Sequence, residues 1–151
     1  SEDPINRVLQ VDRRMGKLAA IRTYLDSQDI SNNTEYGPIS SPYGILTWGS
    51  NKGTVEEAID RLNSSSETPI AKALSVSDIC PFPTQEITSF LESVSKILVV
   101  EMNATGQFQG LVKRELGAYG DQLYGLLKYN GNPFEPAEIV AGFEEKILGE
   151  N

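Results

Sequence analysis

The feature that most constrains the fold is a repeated alternation of short apolar runs with helix-like stretches. Turn residues separate the units, and the stretch after each apolar run places apolar residues three or four positions apart. The predicted strands are residues 43–48, 69–76, 96–101 and 122–127. The predicted helices are residues 54–62, 84–95, 105–116 and 136–148. This alternation is typical of a mostly parallel sheet covered by helices, so we predict a three-layer α/β/α fold with about four to five strands.

A long helix is predicted ahead of this repeat, from Ile5 to about Ser27. Apolar residues spaced by three and four positions form one stripe along it. These residues are Val8, Val11, Met15, Leu18, Ile21 and Leu25. Residues 29–43 contain Ser, Asn, Gly and Pro without periodicity, so we interpret them as a surface connection. We expect residues 1–37 to form a linking helix and connection, and residues 38–151 to form the α/β domain.

The first helix is also the one basic stretch of the chain. Its cations are Arg7, Arg13, Arg14, Lys17 and Arg22. Asp12 is the only acid between them. This pattern indicates either a solvated helix face or docking on an acidic neighbouring domain.

Three local signals predict where helices begin and end. Thr54 and Glu57 have the spacing of a capping box, which predicts a helix start at Thr54. Gly117 predicts a helix end, since glycine readily adopts the left-handed conformation found there. Pro136 suits the first turn of the last helix.

The composition excludes several kinds of function. A formal net charge of −8 argues against nucleic-acid binding, which needs a basic surface for the phosphates. With one cysteine and no histidine, the chain lacks the Ser/His/Asp and Cys/His arrangements of hydrolases and offers zinc one soft ligand. We expect no catalytic residue and no metal site in this chain. Cys80 is expected to be a small buried residue beside Pro81.

No part of the sequence is predicted to cross a membrane. The longest aliphatic run, residues 97–100, is far too short for a span. The first residues, Ser1 to Pro4, do not resemble the basic start and apolar stretch of a secretory signal, so we expect a cytoplasmic location.

The loops that follow the strands are the candidate site, because parallel sheets carry their functional groups at the carboxyl ends of the strands. The loop of residues 48–54 has two glycines around Ser, Asn and Lys. It is either an anion site or a tight turn, and its spacing is not that of a phosphate-binding P-loop. Polar residues of this loop and of residues 101–107 form the candidate loop or interface site. They are Ser50, Asn51, Lys52, Glu101, Asn103, Thr105 and Gln107.

Glu101 is the residue in this set that most needs an explanation. It directly follows a buried apolar run, so its carboxylate requires a partner. Lys52 is one candidate, if the first and third strands are neighbours. Asn103 is expected to bond within its own turn, and Thr105 to cap the helix that begins at Gly106.

Taken in order, the loops resemble a known family. Residues 47–53 (TWGSNKG), 81–83 (PFP) and 99–103 (VVEMN), with Gly106 and Gln107, are similar to the transketolase C-terminal-like domain of 2-oxoacid:ferredoxin oxidoreductase alpha subunits, most closely the 2-oxoglutarate type. The similarity covers roughly residues 38 to 148. Where relatives often carry threonine beside the lysine of the first loop, this chain has Asn51, which puts any hydroxyl role there in doubt.

The resemblance implies an enzyme that decarboxylates a 2-oxoacid on thiamine diphosphate and magnesium. Such an enzyme passes electrons through an iron-sulfur cluster to ferredoxin and leaves the acyl group on coenzyme A. It implies no cofactor in this chain, which would act as a supporting, non-catalytic domain. The implied partners are other domains of the alpha subunit, a thiamine-binding beta subunit and ferredoxin. The family also implies a sheet with the predicted strands in the order second, first, third, fourth.

Two other kinds of function stay open from the residues alone. A free-standing small-molecule or anion-binding α/β module would use the same loops as a pocket. A pure assembly domain would bind nothing small and would interact tightly with a second subunit.

Overall fold

A computed structural model describes residues 3–28 and 30–149. Five strands form its sheet: β1 (Thr34–Tyr36), β2 (Tyr43–Trp48), β3 (Ala71–Val76), β4 (Lys96–Glu101) and β5 (Leu123–Leu127). The α-helices are α1 (Pro4–Ser27), α2 (Lys52–Ser64), α3 (Thr84–Glu92), α4 (Gln107–Leu116) and α5 (Pro136–Phe143). A π-helical segment, Glu144–Leu148, continues α5.

The strands lie in the order β1-β3-β2-β4-β5. All neighbours pair in parallel except β1, which pairs with β3 in antiparallel fashion. The four parallel strands have the order expected from the family resemblance, so the α/β class and that order are confirmed. The prediction of residues 29–43 as an irregular connection is wrong at residues 34–36, because the free edge of β3 offers backbone groups with which this short segment pairs.

Alternating side chains of the strands point to two separate cores, one on each face of the sheet. The first core joins the sheet to α2, α5 and the π-helical segment; its fully buried members include Ile45, Leu98, Ile59, Ile139 and Phe143. The second joins the sheet to α3 and α4; its members include Leu46, Val99, Ile87, Phe90 and Phe108. Helices therefore cover both faces, which confirms the three-layer arrangement.

The signals for helix ends have mixed outcomes. Gly117 ends α4 with a φ of 63°, and Pro136 lies in the first turn of α5, so both predictions are confirmed. The capping box of Thr54 and Glu57 is wrong. A 3-10 turn, Gly49–Asn51, leads directly into α2 at Lys52, so Thr54 already lies inside the helix.

Two further residues bear on the loop after β3. Cys80 is exposed, which corrects its predicted burial. Its place in a loop beyond the end of β3 keeps its thiol out of either core. Pro83 immediately precedes α3, and the carbonyl of Phe82 accepts a hydrogen bond from the Thr84 backbone N–H at 2.9 Å.

The long helix α1 forms where it is predicted, but none of its residues is buried. The Asp3 carboxylate caps it by accepting hydrogen bonds from the backbone N–H groups of Ile5 and Asn6. Among the described residues, none of the helices combines the length and the apolar character that a membrane span requires.

Candidate functional site

The loops after β2 and β4 meet at the carboxyl edge of the sheet because these two strands are parallel neighbours. Thr47 lies opposite Val100, and its hydroxyl donates a hydrogen bond to the Val100 carbonyl at 2.8 Å. Helix α2 leaves β2 on one face of the sheet, and α4 leaves β4 on the other. The chain therefore opens a crevice between the two loops, as expected of a parallel sheet at such a point.

This crevice contains a cavity of about 290 Å³. It is lined by Trp48, Gly49, Ser50, Asn51 and Met102. Ser50 and Asn51 were predicted as site residues; Trp48 and Met102 were not. The sequence held a signal for these two, since each lies at the junction of a strand with one of the two loops.

Asn51 is the buried polar residue of the cavity, whereas Ser50 is exposed. Asn51 is 6% exposed, and its amide makes no hydrogen bond to any residue that the structure describes. It stands at the N-terminus of α2, where backbone N–H groups carry a partial positive charge. The atoms of this amide remain accessible from the cavity, so they can bond a polar group from outside the chain.

Glu101 has a different role from the predicted one. It is fully buried, and its carboxylate accepts hydrogen bonds from the Asn103 side-chain amide at 2.6 Å and from the backbone N–H groups of Phe108 at 2.8 Å and Gln109 at 3.0 Å. A carboxylate from the end of β4 thus caps the N-terminus of α4. Lys52, one candidate partner from the sequence, does not pair with Glu101, because these local donors already satisfy the carboxylate.

Lys52 is the first residue of α2, and its side chain contacts β1 and its own helix. Its ammonium donates a hydrogen bond to the Thr34 hydroxyl at 3.2 Å and lies 3.9 Å from the Glu56 carboxylate. These contacts join the start of α2 to the edge strand β1. The side chain is about half exposed.

The turn after β4 is closed by Asn103. Its side-chain oxygen accepts hydrogen bonds from the backbone N–H groups of Thr105 at 3.1 Å and Gln107 at 3.2 Å. The expectation that Asn103 bonds within its own turn is confirmed. The expected cap by Thr105 is wrong: the cap position is Gly106, in the left-handed conformation with a φ of 63°. Thr105 and Gln107 are exposed on the rim.

Comparisons with known proteins give consistent results. Residues 42–139 match the family model described as pyruvate:ferredoxin oxidoreductase core domain II. The chain is 31% identical over 139 residues to the alpha subunit of 2-oxoacid:ferredoxin oxidoreductase 1 from Sulfurisphaera tokodaii. That match covers 92% of this chain but 21% of the relative, so the chain spans about a fifth of the length of the relative.

Two solved structures are also similar. One is 2-oxoglutarate:ferredoxin oxidoreductase from Magnetococcus marinus with 2-oxoglutarate, coenzyme A and succinyl-CoA bound; it has 26% identity and a TM-score of 0.76, over 96% of this chain and 24% of that chain. The other is the alpha chain of a probable 2-oxoacid ferredoxin oxidoreductase from Thermoplasma acidophilum. It has 28% identity and a TM-score of 0.51, over 78% of this chain and 97% of that chain.

Proposed function

Since this chain belongs to the pyruvate:ferredoxin oxidoreductase core domain II family, we propose that it is a supporting, non-catalytic domain of an oxidoreductase alpha subunit. In this proposal the whole enzyme decarboxylates a 2-oxoacid, reduces ferredoxin and leaves the acyl group on coenzyme A. The observation that carries the proposal is the match of nearly the whole chain, in sequence and in fold, to alpha subunits of such enzymes.

The residues of the chain favour a supporting role over a catalytic one. Among residues 3–28 and 30–149, no three His, Cys, Asp or Glu side chains come together to hold a metal. An iron-sulfur cluster needs several thiolates, and Cys80 is a single one. Thiamine diphosphate with magnesium would need carboxylate or amide ligands at one point, and the buried Glu101 carboxylate is occupied by the start of α4. In the proposed enzyme, other domains or subunits hold these cofactors.

We further propose 2-oxoglutarate as the 2-oxoacid. The similarity to a 2-oxoglutarate enzyme in sequence and fold supports this choice. Residues 1–37 would link the domain to the preceding part of the alpha subunit, and residues 38–151 would form the domain itself. We expect contacts with a thiamine-binding beta subunit, because the relatives are alpha subunits of multisubunit enzymes.

The crevice at the carboxyl edge is proposed as a contact site for a carboxylate of a neighbouring domain. The start of α2 and the unpaired Asn51 amide both offer hydrogen-bond donors to such an oxygen acceptor. The start of α4 is closed to an outside anion because Glu101 already fills it. This difference favours one polar contact at the crevice over a larger anion pocket that uses both helices.

The test uses the complete alpha subunit purified with its beta subunit. Ferredoxin reduction should require coenzyme A and proceed with 2-oxoglutarate more efficiently than with pyruvate. The 151-residue chain alone should reduce no ferredoxin and should lack the visible absorbance of an iron-sulfur cluster. Electron transfer by this chain alone would refute the supporting role, while a preference for pyruvate would refute only the choice of substrate.

The loop residues are tested by changing Lys52 and Gln107 together to alanine. Both side chains are exposed, so the unfolding free energy of the chain should change by no more than about 0.5 kcal/mol. In the complete enzyme the double change should weaken subunit association or turnover. Lys113→Ala, which removes an exposed lysine near the other end of α4, is the matched control and should change neither. If assembly and kinetics were unchanged in the double variant, these loops would serve only as turns between a strand and a helix.

A further inference from the structure

The helix α1 has a surface that the rest of the chain leaves uncovered. It is 24 residues long, and none of them is buried. Helices in water gain most of their stability from packing an apolar face, and α1 has apolar residues available for this purpose. Val8, Val11 and Met15 are 58%, 42% and 61% exposed.

These apolar residues form a regular seam. Positions spaced by three and four residues share one side of a helix, and α1 keeps that spacing over its length. The seam consists of the apolar residues Val8, Val11, Met15, Leu18 and Leu25, with the charged Arg22 at one seam position near its end. It runs for about 26 Å at 1.5 Å per residue. Such spacing is that of a helix that packs lengthwise against another helix.

The seam ends in a notch between α1 and α3. Arg22 and Leu25 line one side of a cavity of about 430 Å³, and Gln85 and Glu86 of α3 line the opposite side. Arg22 is paired with Asp26 at 2.7 Å.

The notch carries an excess of negative charge. Of the described residues that line it, three are acids, Asp26, Glu35 and Glu86, and one is a cation, Arg22. Glu86 is held by the Ser31 hydroxyl at 2.7 Å and by the Asn33 amide. Glu35, by contrast, makes no side-chain hydrogen bond or ion pair with any residue that the structure describes, although it lines the same cavity. A cation from outside the chain would complement it.

We propose that the seam and notch dock an amphipathic helix of another domain of the assembled oxidoreductase. That helix has about five turns, an apolar seam of its own, and a Lys or Arg at one end that enters the notch and meets Glu35. The proposal rests on the proposed function only for the identity of the assembly.

Two other occupants fit the charges less well. A second copy of α1 would bring together two helices that each carry four cations against one acid between residues 7 and 17. An anionic membrane would lie against the carboxylates of the notch, and it would have to accept Asp12 near the apolar side. An amphipathic helix with a terminal cation avoids both conflicts.

The experiment compares thiol labelling at two neighbouring positions in the complete enzyme. Met15→Cys places a thiol on the seam, and Lys17→Cys places one on the opposite, exposed side of the same turn. Each is made with Cys80→Ser, and mass spectrometry follows modification by N-ethylmaleimide at each site. We expect labelling at position 15 to be at least 10-fold slower than at position 17. Equal rates would overturn the proposal.

A charge change tests the notch. In the Met15→Cys enzyme, Glu35→Lys should raise the labelling rate at position 15 at least 3-fold, because it places like charges in the notch. Glu67→Lys makes the same change of net charge at an exposed loop position and should leave the rate unchanged. If Glu35→Lys and Glu67→Lys had equal effects, or if neither had an effect, the proposed cation of the partner helix would be excluded from the notch.

Further measurements identify the partner that covers the seam. If protection of position 15 required phosphatidylserine-containing vesicles, the partner that covers the seam would be a membrane surface and not a helix. If protection disappeared on dilution and sedimentation showed that a dimer dissociates, the partner that covers the seam would be a second copy of this chain. Ferredoxin reduction is measured in the same samples. An active enzyme with an unprotected seam would refute the docking alone, and a protected seam in an inactive enzyme would refute only the proposed reaction.

Discussion

Replacing Glu101 is the change that most directly tests how the loop after β4 is built. The carboxylate is fully buried and accepts three hydrogen bonds, two of them from the first turn of α4. Hydrogen bonds to a charged group contribute about 1.5–3 kcal/mol each, and they are not additive. Removing the carboxylate leaves its donors without an acceptor, which costs about 1–3 kcal/mol for each buried donor. We therefore expect Glu101→Ala to lower the unfolding free energy by about 3–5 kcal/mol.

Glu101→Gln separates charge from shape. Both carboxylate oxygens accept from N–H groups, so an amide must turn its NH2 group toward a donor in either orientation. We expect a loss of about 1–3 kcal/mol, smaller than that of the alanine variant because one acceptor remains. Glu115→Ala is the control. Glu115 is exposed and, within the part of the chain that the structure describes, pairs only with the neighbouring Arg114, so its change should stay within about 0.5 kcal/mol.

Urea unfolding of the 151-residue chain measures these differences. With a slope near 2 kcal/mol per molar urea, the alanine variant should lower the midpoint by about 1.5–2.5 M. The slope itself should not change, since the core remains. If both Glu101 variants matched the Glu115 control, the carboxylate would not be what holds the start of α4, and the capping argument would be wrong.

Two further predictions concern pH and packing. The pKa of Glu138 is lowered, first by the hydrogen bond from Lys128 and then by a backbone N–H, so its contribution to stability is present above about pH 4.3 and is lost as the pH falls through the lowered value. The difference in thermal midpoint between the wild type and Glu138→Gln should therefore vanish in acid, and Lys128→Met should weaken this dependence; a difference that persists in acid would contradict it. Gly44→Ala would bring a methyl group to 3.0 Å from the ring of Phe90 and should cost about 1–3 kcal/mol in urea unfolding. Gly110→Ala, in the interior of α4 with nothing within 4 Å, should instead stabilise by about 0.5–1 kcal/mol, and a loss in that variant would refute the packing argument.

The sequence by itself determined the elements that depend on local pattern. The strand and helix alternation predicted the three-layer class because side-chain period reports which face of an element is buried. Gly117 and Pro136 predicted their helix ends because each imposes its own backbone conformation. The order of the parallel strands came from the family resemblance, and spacing alone would not have supplied it.

The tertiary structure decided which groups became partners. Residues 34–36 carry little strand pattern, and they became β1 because the edge of β3 was open. Glu101 paired with the helix that follows it, at separations of seven and eight residues, while Lys52 bonded to β1. Sequence spacing cannot rank such alternatives, because the free energy of a buried carboxylate depends on which donors the folded backbone brings within 3 Å of it.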